Sequence, residues 1–205
     1  MPTTLSTTSY AVLGLLALRS WTGYELTQQA RRSLAHCWPK EDSVLYEEPR
    51  RLVARGLARA HREHHRGRTR NRYAITEQGR QALREWLATS SAPPRLELEP
   101  LLRLTFADQG ELPDAQAAVA ALRDWAVALR ADGVAVLRGY QAGEAPFPER
   151  LHINVLTACF HKAIYDATIA FCELAQKEIA GWERTDSLGL TERTRGLLGQ
   201  LLADE

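Results

Sequence analysis

Apolar residues along the chain recur at two periods, and the switch between them organises the first half of it. From Ser9, "SYAVLGLLALRS" is apolar on nearly every side, which predicts a buried first helix ending near Arg19, with Ser6, Thr7 and Thr8 ahead of it as caps. In "TGYEL", Thr22 stands three residues before Glu25. That is the spacing of a capping box, in which each side chain satisfies a backbone donor at the other's position, so a second helix is expected to run towards Ser33. A third is expected in "EDSVLYEEPRRLVARG": its leading acids and Ser43 suit the positive end of a helix dipole, Ser43 is also a candidate cap, and Gly56 ends it. After Gly56 the period becomes that of a strand, since "LARAHREH" and "RNRYAIT" flank "HRGRT", a Gly-containing connection of hairpin length. "TEQGRQALREWL" then returns to the helical period, with Thr76 as cap and Leu83, Trp86 and Leu87 on one face.

Helix, helix, helix, hairpin, helix is the layout of a winged helix-turn-helix unit, whose third helix enters the major groove while the hairpin lies along the DNA backbone beside it. The fold expected is mainly α. Residues 1–91 form an N-terminal winged helix-turn-helix DNA-binding domain with a two-stranded β-hairpin wing. Residues 92–112, interrupted by Pro93, Pro94 and Pro100, form a connector in which "LLRLTFAD" could make one or two helical turns, and residues 113–205 form a C-terminal α-helical dimerisation domain. Within that last part "PDAQAAVAALRDWAVALRADGVAVLRGY" carries Val119, Leu122, Trp125, Ala126 and Leu129 at helical spacing, and the chain from Glu149 to Gly181 has no internal Gly or Pro. There Ile153, Leu156, Phe160, Ala163, Ala167, Ala170 and Leu174 recur at alternating steps of three and four, a coiled-coil-like seam with Ile164 and Phe171 on its flank. The seam is read as the contact with a second chain; packing on the chain's own antiparallel neighbour is the alternative.

Charge sharpens this division. The net charge of the 205 residues is +1, but residues 1–91 hold 15 Lys and Arg against 8 Asp and Glu, a balance of +7, and the remainder is acidic. The excess gathers at residues 57–73, where Arg59, Arg62, Arg66, Arg68, Arg70 and Arg72 meet a single acid, Glu63. A guanidinium fork matches phosphate oxygens and enters a narrow minor groove, so this hairpin is expected to meet a polyanion, double-stranded DNA. Arg66, Arg68, Arg70 and Arg72 alternate and should share one strand face, with Asn71 and Tyr73 on the other. The bland reading is a hairpin kept soluble by edge charges. No apolar run is long enough for a membrane span and the start lacks a secretory pattern, so a cytoplasmic protein without membrane contact is expected. Cys37, Cys159 and Cys172 are unpaired in number and spacing and are read as buried thiols.

The stretches "AVLGLLAL", "TGYEL", "LYEEPRRLVARGL" and "RNRYAITEQGRQALREWL" stand in an order and at separations that resemble the PadR-type transcriptional regulators over residues 9–87. The C-terminal part resembles, more generally, the longer helical region of one branch of that family, in which the helices of two chains wrap into a dimer. The resemblance implies a sequence-specific DNA-binding regulator, usually a repressor, that holds an inverted-repeat operator as a homodimer. It also implies release by a small molecule, here a small aromatic or apolar effector. This sequence departs from the family where Pro commonly follows the tyrosine matched by Tyr46 and an apolar residue stands two positions later: Glu47 and Pro49 occupy those places. Pro49 deletes the hydrogen bond to the Leu45 carbonyl and should bend the third helix, and Glu47 and Glu48 oppose phosphates.

The candidate base-facing residues are therefore Ser43, Val44 and Tyr46 near the helix start, with core as the other reading of Tyr46; Arg50 and Arg51 either touch the DNA backbone or pair with the acids. Arg66, Arg68, Arg70 and Arg72 are the wing candidates. Trp86, Trp125, Phe106, Phe160 and Phe171 line an effector pocket or are core. No catalytic constellation is legible, because "HREHH" lacks the helical metal-binding spacing and Cys159 and His161 point apart on a helix. Neither an enzyme nor a cofactor or metal is expected. The rival to the regulator is a winged-helix protein-interaction module that docks an acidic partner without reading DNA.

Overall fold

The computed structural model describes residues 5–65, 68–186 and 188–203, and the chain divides into two compact units, Met1–Pro94 and Arg95–Glu205. The first opens with α1 (Thr7–Leu18), which lacks any charged residue and buries Val12, Leu13, Leu15 and Leu16. Ser6 caps it, its hydroxyl accepting from the Ser9 N–H at 3.1 Å. At the other end the Trp21 indole donates to the Leu15 carbonyl at 2.7 Å and so satisfies one of the acceptors that every helix terminus leaves over. The capping box is present: the Thr22 N–H donates to Glu25 at 2.9 Å and the Glu25 N–H to the Thr22 hydroxyl at 3.3 Å, which starts α2 (Gly23–Leu34).

Next comes α3 (Asp42–Ala54), which continues through Pro49. The Pro49 side chain is fully buried, with Leu45 and Leu52 buried on the same side of the helix. Pro inside a helix costs about 3 kcal/mol and burial of an apolar side chain returns about 1.5–3 kcal/mol, so packing offsets most of the missing hydrogen bond. Gly56 ends α3 at φ 73°, and the N–H groups of Gly56 and Leu57 reach the carbonyls of Val53 and Leu52, each at 3.0 Å. This is the paired hydrogen bonding of a helix stop that needs a left-handed residue.

The hairpin is β2 (Ala58–His65) and β3 (Arg68–Ile75), antiparallel. A third strand not anticipated from the sequence, β1 (Trp21–Thr22), pairs with the other edge of β3, giving the order β1-β3-β2. Its two residues are too few to show a period; their pairing is decided by the distant Tyr73 and Arg72. α4 (Glu77–Leu87) follows, capped by Thr76, whose hydroxyl accepts from the Gly79 N–H at 3.1 Å.

In the second unit α6 (Leu112–Gln141) and α7 (Leu151–Ile179) pack along each other around Ala115, Val119, Leu122, Cys172, Ala175 and Ile179. The connector contains α5 (Glu99–Thr105), which supplies the one or two turns expected of "LLRLTFAD", and the 3-10 turn Ala107–Gln109; not anticipated is that Ala107 lies in that core with Leu98 and Leu104 against it. A further helix, α8 (Glu192–Ala203), also lay outside the sequence reading. Of the three thiols only Cys172 is buried, and burial raises its pKa; Cys37 and Cys159 are exposed, which corrects their reading as core. No helix among the described residues is long and apolar enough to cross a membrane.

Candidate nucleic-acid interface

α3 turns Leu45, Glu48, Pro49 and Leu52 inward and Ser43, Val44, Tyr46, Glu47, Arg50 and Arg51 outward. Glu41 holds the cap position, so Ser43 is a residue of the first turn with an exposed side chain and is not the cap. Tyr46 is 48% exposed and therefore not core. Its ring lies over Gly23 at the start of α2, where an added Cβ would come within 2.9 Å of it. Only the missing side chain at Gly23 allows that approach. The Arg50 guanidinium lies 5.7 Å from the centre of the same ring and bonds Glu47 at 3.0 Å; hydrogen bonding to Tyr73, then the Glu47 charge, raises its pKa. Arg31 of α2 donates to Asp42 at 2.8 Å, which joins α2 to the first residue of α3.

The two acids of this helix do different things. Glu47 sits on the outer face beside Arg50. Glu48 is only 5% exposed, accepts from the Ser9 hydroxyl of α1 at 2.5 Å and has Arg51 at 3.6 Å. Its charge is thus held by partners inside the unit and does not face outward as the sequence reading had it.

In the wing, Arg66 lies outside the described residues, and of Arg68 only the backbone pairing with His65 is described. Arg70 and Arg72 share a face, as their alternation predicts, but both are engaged. Arg70 pairs with Glu63 directly across the ladder. Arg72 reaches Glu63 at 2.7 Å, Glu25 at 3.1 Å and the Ser20 carbonyl at 3.0 Å. These bonds tie β2 and β3 to the first turn of α2. Hydrogen bonding to Arg72 lowers the Glu63 pKa; for Glu25, burial pushes the carboxyl up, but the Thr22 N–H and Arg72 outweigh it and the net direction is down. The Arg72 guanidinium is raised in turn, by Glu63 before Glu25.

The opposite face begins in the core with Ala58, Tyr73 and Ile75, all buried, and ends outside it with Arg62, Asn71, His64 and Thr69. Composition alone does not single out Arg62, His64 and Asn71 as contacts. Their signal was the parity they share with the apolar pair Tyr73 and Ile75, which marks the side turned towards the helices.

In the second unit every residue of the seam, Ile153, Leu156, Phe160, Ala163, Ala167, Ala170 and Leu174, is exposed, while α7 meets α6 through Tyr165, Cys172, Ala175 and Ile179. The antiparallel neighbour therefore does not cover the seam. Of the aromatic set, Trp86 stacks on Tyr10 at 4.9 Å and Trp125 meets Tyr165 edge-on at 5.6 Å, while Trp125, Phe106, Phe160 and Phe171 are exposed.

Residues 12–85 match the model of the transcriptional regulator PadR-like family. The negative transcriptional regulator PadR of Bacillus subtilis (strain 168) is 31% identical over 80 residues, 38% of this chain, and the aligned stretch spans 43% of that relative. The crystal structure of Bacillus subtilis PadR in complex with operator DNA superposes with a TM-score of 0.70 at 19% identity, covering 85% of this chain and 99% of that one. The structure of the same regulator in complex with p-coumaric acid gives 0.64 at 20% identity, with 85% and 99% covered. At these identities the superpositions establish a shared fold.

Proposed function

We propose that the chain, whose residues 12–85 match the PadR-like family of transcriptional regulators, is a sequence-specific DNA-binding repressor that grips an inverted-repeat operator as a homodimer in the cytoplasm. The observation that carries the reading is the adjacency of the outer face of α3, with Ser43, Val44, Tyr46, Arg50 and Arg51, to a long antiparallel wing that follows α3 directly after Gly56 and packs its buried Ala58, Tyr73 and Ile75 against the helices. A helix of this exposure enters a major groove, where Ser43 and Val44 meet base edges, while Arg50 and Arg51 meet phosphates beside the paired Glu47. The exposed seam of α7 supports the dimer, because an apolar stripe of that length on one helix calls for a partner and a second copy supplies the second half-site. The PadR structure in complex with p-coumaric acid supports release by a small aromatic acid.

Footprinting of the purified chain on genomic fragments tests this reading. Two protected half-sites about 10 base pairs, or a multiple of that, from centre to centre are expected. Uniform protection without sequence preference, or binding to an acidic protein that duplex does not compete, would transfer the chain to the protein-docking class.

A further inference from the structure

We infer that the wing touches DNA through the strand face that carries Arg62, His64 and Asn71, and that Arg72 on the opposite face is a positioning residue that sets the wing's angle. The inference rests on the DNA-binding reading above and assigns the wing's contacts within it. Ladder partners directly opposite one another share a face, so Ala58 with Ile75, Ala60 with Tyr73, Arg62 with Asn71 and His64 with Thr69 lie on one side. His61 with Arg72 and Glu63 with Arg70 lie on the other. The first side is the one that packs on the helices, through the buried Ala58, Tyr73 and Ile75. Arg62 and Asn71 stand two residues further out on that side, about 7 Å beyond Tyr73, so they continue the surface that α3 begins.

Charge separates the two faces as well. Glu25, Glu63, Arg70 and Arg72 form one connected set in which two carboxylates balance two guanidinium groups. For Arg70 or Arg72 to neutralise a phosphate it would have to leave a carboxylate, and Glu63 would then stand unpaired close to the polyanion. Arg62 is exposed and makes no ion pair among the described residues, so its charge is available to displace counterions. Asn71, also exposed, brings a carboxamide that both donates and accepts, the chemistry that senses base edges in a minor groove. The His64 Nδ1 lies 3.0 Å from the Thr69 hydroxyl, which fixes the ring at the outer end of the same face.

Fluorescence anisotropy of the full chain on operator and on random duplex, over a salt series, tests the assignment. Arg62→Ala, which removes one contact from each of two wings, is expected to flatten the slope of log affinity against log salt by about 1.8 and to weaken both duplexes alike. Asn71→Ala is expected to lose about 5- to 150-fold on the operator and little on random DNA. Arg70→Ala should leave the slope unchanged. Arg72→Ala should weaken operator binding at unchanged slope, with recovery in Arg72→Lys, which restores a cation beside Glu63 and Glu25; a residue that merely held the fold together would instead lower the active fraction without changing the affinity of the remainder. A slope flattened by Arg70→Ala or Arg72→Ala and untouched by Arg62→Ala overturns the assignment of faces. Absence of salt-dependent duplex binding in the unaltered chain overturns the DNA-binding reading itself, and the two results cannot be confused.

Discussion

Glu48 is a nearly buried carboxyl whose partners come from inside the unit. Two partners hold it, the Ser9 hydroxyl at 2.5 Å and the Arg51 guanidinium at 3.6 Å, and together they anchor α3 to α1. Ser9→Ala removes the closer partner from an acceptor that water hardly reaches and should cost about 1.5–3 kcal/mol, read as a lower urea midpoint with an unchanged m-value. The Glu25–Arg72–Glu63 brace has a pH signature whose sign follows from its direction. Both carboxyls are held below their usual 4.5, so their stabilisation is complete above that pH and is lost as pH falls through the depressed folded values. Urea midpoints measured from neutral pH down through that window should fall less steeply for Arg72→Ala than for the unaltered chain. A sequence can name Glu48 and Arg72 but not the distant partners, Ser9 of α1 and Glu25 of α2, which lie 39 and 47 residues away.

At the scale of elements, Gly79 lets α4 pack directly against Leu57 and Ile75 at the base of the hairpin. An added Cβ at Gly79 would lie 2.1 Å from the Leu57 carbonyl oxygen and 2.9 Å from Ile75 Cγ1. The first contact is with backbone, so no rotamer relieves it. Gly79→Ala should therefore cost at least the 1–3 kcal/mol or so of an overpacked core, even though Ala is the better helix former, and thermal unfolding followed by circular dichroism checks the sign. Pro49 runs the other way: Pro49→Ala restores a backbone donor for the Leu45 carbonyl, a gain of up to about 3 kcal/mol, against about 1.6 kcal/mol for two lost buried methylenes. A net stabilisation of roughly 1 kcal/mol is expected in urea unfolding. Most element starts were legible because caps are local: Ser6, Thr22 and Thr76 each bond an N–H within three residues. The strand β1 was not, since two residues carry no period, and neither was the core role of the stretch around Ala107, whose prolines look like a linker until α6 is placed beside it.

For the whole molecule, the exposed α7 seam predicts the assembly. Light scattering should report about twice the 23.0 kDa chain mass, and Leu156→Asp, at a position 72% exposed in the single chain, should return it to the chain mass without changing the helix content. Operator affinity should drop with it, because two half-sites bound by one dimer become two separate encounters. The sequence alone determined what depends on period and near neighbours: the longer helices and the hairpin strands, most caps, the basic hairpin, and an apolar stripe with more positions than a lone helix needs. Hydrophobic spacing and capping act over a few residues, so they survive being read in one dimension. Only the tertiary structure decided which charges are spent inside the protein. Ion pairs depend on strand register and on distances between elements that no period encodes, and these turned Glu48 inward, bound Arg70 and Arg72 to acids, and left the face of Arg62 and Asn71 turned outward beyond Tyr73.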